Sequence, residues 1–157
     1  MPVGEEHKLG NHDELLLRQV IEIWVQEGRP ATRAFQPNSN DESLLSSDRS
    51  SMVTPREAFE AYLASGRNSG GVWAVTVGEY AAEAVSAYSD PLPENAAHAL
   101  VDYSPYTEKE WRKISKKFHA HAVRRGCLYP ADEAAKVAAA PSVPTSQRKP
   151  LVAGGAA

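Results

Sequence analysis

A chain of 157 residues, 42% hydrophobic and 24% charged, is long enough to close one core, and its balance excludes a wholly unstructured polymer. A net charge of −3 gives no global pull toward nucleic acid, and the lone Cys127 excludes an internal disulfide. No apolar run approaches the roughly 18 residues of a membrane span, and the opening "MPVGEEHKLGNHDE" lacks the apolar stretch of a signal peptide. The expectation is therefore a soluble protein of a reducing cytoplasm.

Taken in chain order, residues 1–13 read as a flexible polar arm. "LLLRQVIEIWVQEG" (Leu15–Gly28) is rich in β-branched and aromatic residues and reads as a strand, although its first residues also permit a helical start. Gly28 and Pro30 close it. "ATRAFQP" (Ala31–Pro37) reads as a second, shorter strand and Asn38–Glu42 as a turn cluster. In "SLLSSDRSS" (Ser43–Ser51) only Leu44 and Leu45 interrupt what reads as loop.

"TPREAFEAYLASG" (Thr54–Gly66) carries full helix signals: Thr54 as N-cap, Pro55 in the first turn, Glu57 completing a capping box, and Gly66 as the stop. Phe59, Tyr62 and Leu63 share its inward face. "VWAVTV" (Val72–Val77) reads as a central strand covered on both faces. Glu79–Tyr88 reads as a short helix, Asp90–Asn95 as irregular because of its prolines, and His98–Tyr103 as a strand. Pro105–Arg125 reads as a long helix ending at Gly126. From Ala131 the chain is Ala, Pro, Ser and Gly without aromatics and reads as a disordered tail. The organisation expected is an arm (1–13), one α+β domain (14–129) with helices on a mixed or antiparallel sheet, and a tail (130–157).

The long helix carries the chain's charge asymmetry. Lys109 to Arg125 contains seven Lys/Arg, which leaves the remainder acidic. At 100° per residue, Trp111, Ile114, Phe118 and Ala122, joined by His121, share one arc. Lys109, Arg112, Lys113, Lys116, Lys117 and Arg124 share the opposite one. Burying Trp111, Ile114 and Phe118 is worth at most about 5–8 kcal/mol, so the apolar arc fastens the helix and the basic arc faces water or an anionic partner. No aromatic interleaves the cations to stack bases. His119 and His121 point about 200° apart, which precludes a helical metal pair. Cys127 reads as an unreactive small residue.

Three further residues are candidates for chemistry. His98 opens a strand after a proline-rich loop; Asp102, four residues on, is roughly 13 Å away, too far to pair with it. Arg18 interrupts an apolar strand, as an edge or solvent-face residue does, or a phosphate clamp facing a cleft. Glu79 follows "VWAVTVG", a common position for a functional carboxylate and equally the first residue of the next helix, where its charge suits the dipole. The order Arg18, Thr32/Arg33, Glu79 resembles the scattered Arg–Ser/Thr–Glu pattern of ADP-ribosyltransferase-like proteins, although that family's Ser-Thr-Ser segment is missing. The resemblance implies a transferase acting on a nicotinamide dinucleotide. The stretches "WVQEGRPATRAFQP", "GVWAVTVGE" and "PLPENAAHALVDYS" are similar to small uncharacterised bacterial single-domain proteins over Leu15 to about Tyr129, which implies no particular activity.

The first functional reading is a non-catalytic interaction module that holds an acidic protein partner on the basic helix face or at a sheet edge. The alternatives are a small enzyme, a transferase or nuclease-like toxin built on His98, Glu79 and Arg18, and a nucleic-acid binder. No cofactor, metal or membrane is implied.

Overall fold

The computed structural model describes residues 4–38 and 42–130. The strands are β1 (Leu15–Val20), β2 (Val25–Gln26), β3 (Arg29–Pro30), β4 (Leu44–Arg49), β5 (Gly71–Thr76), β6 (Ser86–Ser89) and β7 (His98–Asp102), and the helices are α1 (Pro55–Ala64), α2 (Val77–Ala81) and α3 (Glu108–Arg125). Five strands make one sheet in the order β5-β1-β4-β7-β6, with every pairing antiparallel, while β2 and β3 form a separate ribbon. The architecture is the expected α+β.

Register sorts the side chains onto two faces. Leu16 is paired with Val75 and Arg49, and Leu17 with Ala74 and Asp48, so alternate residues point opposite ways. Leu16, Val20, Leu45, Trp73, Val75, Ala99 and Val101 lie in the main core with Tyr80 of α2 and with Trp111, Ile114 and Phe118 of α3. Leu17, Val72 and Ala74 form a second core with Ala58 and Phe59 of α1. Helix α1 packs on β1 and β5. On the same face, over β4 and β7, Ser46 is exposed and Asp48, His98 and Leu100 are half-buried.

Several elements differ from their sequence reading. The strand expected over Leu15–Gly28 ends at Val20, and a 3₁₀ turn (Glu22–Trp24) leads into the β2–β3 hairpin. Glu27 and Gly28 both have positive φ, 53° and 76°, the backbone of a tight two-residue hairpin turn. Ala31–Pro37 is not a strand: Thr32–Phe35 is a 3₁₀ helix that buries Ala34 and Phe35. Ser43–Ser51, read as loop, contains β4, the middle strand of the sheet. Its polar residues misled because β4 presents half of one face to solvent.

Helix α1 matches its capping signals, with Thr54 and Glu57 reciprocally bonded, but Leu63 is 43% exposed rather than inward. Glu79–Tyr88 divides into α2, a turn through Ala84, and β6. Helix α3 begins at Glu108, because Thr107 and Glu110 form its capping box. The tail read from 131 onward, and residues 39–41 of the turn cluster, lie outside the described residues.

β5 is covered on both faces as expected, yet it is an edge strand rather than a central one. The chain leaving α3 closes that edge: Val72 N donates to Tyr129 O (2.9 Å), Leu128 N donates to Val72 O (2.8 Å), and Arg125 Nη1 donates to Ala74 O (2.8 Å). The opposite edge, β6, is lined by residues read as a flexible arm. Lys8 bridges Tyr88, Leu9 N donates to Ala87 O (2.9 Å), and the Leu9 side chain is buried. A bare strand edge invites pairing with another chain, and here chain segments cover both edges.

Candidate functional site

Helix α3 is held by its apolar arc as its periodicity predicts. Trp111, Ile114, Phe118 and Ala122 are buried. Trp111 Nε1 donates to Tyr103 O (3.2 Å) and Tyr106 O (3.0 Å), and the Phe118 ring packs 4.6 Å from Tyr80 and 5.9 Å from Tyr103. Burial pushes the Tyr80 and Tyr103 hydroxyls well above their ordinary range. Tyr103 donates its hydroxyl proton to Phe35 O, which ties the 3₁₀ helix to the same core.

On the opposite arc, Lys109, Arg112, Lys113, Lys116, Lys117 and Arg124 are all exposed. Lys117 Nζ meets Glu83 Oε1 at 3.1 Å. Arg124 Nη1 lies 3.1 Å from His121 Nδ1. Among the described residues, Lys109, Arg112, Lys113 and Lys116 have no carboxylate within ion-pair distance. Lys109 to Arg124 covers about 22 Å of helix, with Ala120 exposed between the cations. The result is a cationic stripe along one helix face.

The three candidates for chemistry each hydrogen-bond to different partners. Arg18 projects from the core-facing side of β1, opposite Trp73. Its Nε donates to Ala34 O (2.7 Å) and its Nη1 to Ser46 O (3.0 Å). It therefore ties the 3₁₀ helix and β4 to β1.

Glu79 sits at the β5 edge and completes the capping box of α2, where its Oε1 accepts from Thr76 N (2.9 Å). Arg125 donates to it twice (3.1 and 2.7 Å), and His121 Nδ1 is 3.3 Å away. Burial alone would raise the Glu79 carboxyl; the Arg125 hydrogen bonds and the Thr76 N–H outweigh it and hold the group below its ordinary 4.5. His121, placed on the apolar arc by its periodicity, is half-buried beside this pair.

His98 lies on the sheet face opposite to Arg18. Its Nδ1 is 2.9 Å from Asp90 Oδ2 and 3.2 Å from Asp90 O. Arg49 N donates to Ala97 O (2.9 Å), so the neighbouring pair Asp48–His98 is a close, non-hydrogen-bonded one, with Cα atoms about 4.5 Å apart. Asp48 Oδ1 accepts from Asn95 Nδ2 (2.7 Å). Asp90, one residue past β6, thus forms a row with His98 of β7 and Asp48 of β4, which the sequence reading missed. Its signal was the strand alternation of β4, obscured by serines. Among the described residues no hydroxyl or thiol hydrogen-bonds the His98 ring.

Arg33 stacks on the Trp24 ring at 4.8 Å, and Thr32 lies in the 3₁₀ helix. Neither meets Glu79 in the manner the ADP-ribosyltransferase-like pattern implies. His119 Nε2 lies 2.8 Å from Pro30 O, and burial pushes the Cys127 thiol up. The described residues contain no group of three His, Cys, Asp or Glu placed to hold a metal, and no helix among them is long and apolar enough to cross a membrane. No family model, no curated protein and no solved structure matches the chain.

Proposed function

We propose that the protein is a non-catalytic interaction module that holds an acidic protein partner on the outer face of α3, within a reducing cytoplasm. One observation carries the reading: six cations stand exposed along one helix, and four of them have no carboxylate within ion-pair distance among the described residues. A folded domain gains little from clustering like charges, so the stripe is better suited to an external anion than to the protein's own stability. Covered sheet edges favour the helix over an edge as the docking surface. His98 lies on the opposite sheet face from Arg18, which does not favour a centre that uses both.

The test is fluorescence anisotropy with a labelled poly-glutamate peptide. Binding at low salt should weaken steeply as ionic strength rises and fall at least tenfold in Lys113→Glu/Lys116→Glu, with the fold unchanged by circular dichroism. Binding that ignores both salt and the double reversal overturns the reading. A single-stranded oligonucleotide held more tightly than the peptide makes the partner a nucleic acid instead.

A further inference from the structure

A second site, remote in role from the α3 stripe, lies where residues 8–12 cross the α2–β6 connection. A cleft of about 370 Å³ opens there, within the size range of small-molecule sites. Leu9, Val77, Val85 and Ala87, all buried, line it, and the polar groups that join them include Lys8 and His12; no carboxylate is among its lining residues.

Two backbone features shape its surroundings. Gly78 N donates to His12 O (3.0 Å), and a Cβ at Gly78 would come within 2.9 Å of His12 Cβ, so only glycine lets the N-terminal segment settle there. Ala84, also in the lining, has φ 63°. It occupies the position after α2 at which Val85 N reaches back to Tyr80 O (3.1 Å), a left-handed helix stop that glycine fills at lower conformational cost. Alanine there places a methyl in the cleft wall at the expense of local backbone strain, a pattern associated with binding sites.

We propose that this cleft binds a small aliphatic carboxylate, with the chain against Leu9, Val77, Val85 and Ala87 and the carboxylate toward Lys8 and His12. The apolar wall supplies burial of the chain, and a lining of two basic groups without an acidic one selects the anionic head over a cationic one.

The experiment is a titration of the full chain with sodium hexanoate, followed by amide chemical shifts. Saturable shifts confined to residues 8–12 and 77–87 are expected. Hexyltrimethylammonium, with the same chain and opposite charge, should leave them unmoved. Ala81→Trp, at an exposed rim position, should weaken hexanoate at least tenfold by filling the cleft, and Lys8→Glu should weaken it several-fold. Ala84→Gly is the discriminating variant: it should raise the melting temperature and weaken hexanoate together. Shifts that map to α3, shifts unchanged in Ala81→Trp, or none at 10 mM hexanoate overturn the site. Each leaves the α3 proposal standing, because that one is read with poly-glutamate.

Discussion

At the scale of single residues, Glu14, buried just before β1, is closely tied. Arg49 grips both of its oxygens at 3.1 Å, and Ser51 adds its hydroxyl at 2.6 Å and its N–H at 3.3 Å. Burial would raise this carboxyl, but those hydrogen bonds and the Arg49 charge outweigh it, so the group sits below its ordinary 4.5. A depressed folded-state pKa means stability that is present above the unfolded value and lost as pH falls through the folded one. Denaturant midpoints should therefore drop as pH is lowered from about 5 toward 3, and Glu14→Gln should flatten that slope. Arg49→Ala should cost about 3 kcal/mol by leaving the carboxylate buried without its partner; urea unfolding at pH 7 checks it. None of this was legible in the sequence, where Glu14 and Arg49 stand 35 positions apart. The capping pair Thr54–Glu57 was legible because its partners are three positions apart and need no tertiary context.

At the scale of elements, α3 shows why strong periodicity is readable. Its two arcs differ in every residue that matters, and the predicted division into Trp111/Ile114/Phe118 and the lysines is the one observed. The arcs should also separate in their response to truncation. Phe118→Ala is expected to cost about 3–5 kcal/mol, whereas Lys116→Ala should change stability by less than about 0.5 kcal/mol, both measured by chemical denaturation. β4 shows the converse. Ser46, Ser47 and Asp48 look like loop because a strand covered over only part of one face does not need to alternate cleanly. The 3₁₀ helix at Thr32–Phe35 reads as a strand in sequence for a related reason: its apolar residues are placed by Arg18 and Tyr103, which reach its carbonyls from far along the chain.

At the scale of the whole molecule, class was legible and order was not. The succession of apolar runs and capped helices is enough to specify an α+β domain. Strand order depends on which edges the chain leaves open, and composition does not encode that. "VWAVTV" reads as central because both its faces are apolar, and it is an edge that α1, α3 and the post-α3 segment together enclose. The candidate site was partly legible: the cationic stripe was found by helical spacing, while the Asp90–His98–Asp48 row and the cleft beneath residues 8–12 exist only once the strands are in register. Removing residues 1–10 should expose β6 and produce concentration-dependent association in sedimentation velocity, with the far-ultraviolet spectrum largely retained.

The two edge-closing segments also fix where the chain enters and leaves the sheet. Residues 8–9 run beside β6 and residues 128–129 beside β5, on opposite margins. Six strand spacings separate them, about 29 Å. A circular permutant that joins these two ends would need a bridge of at least about nine extended residues, routed around the α1 or the α3 layer, and a shorter one would tear one margin open.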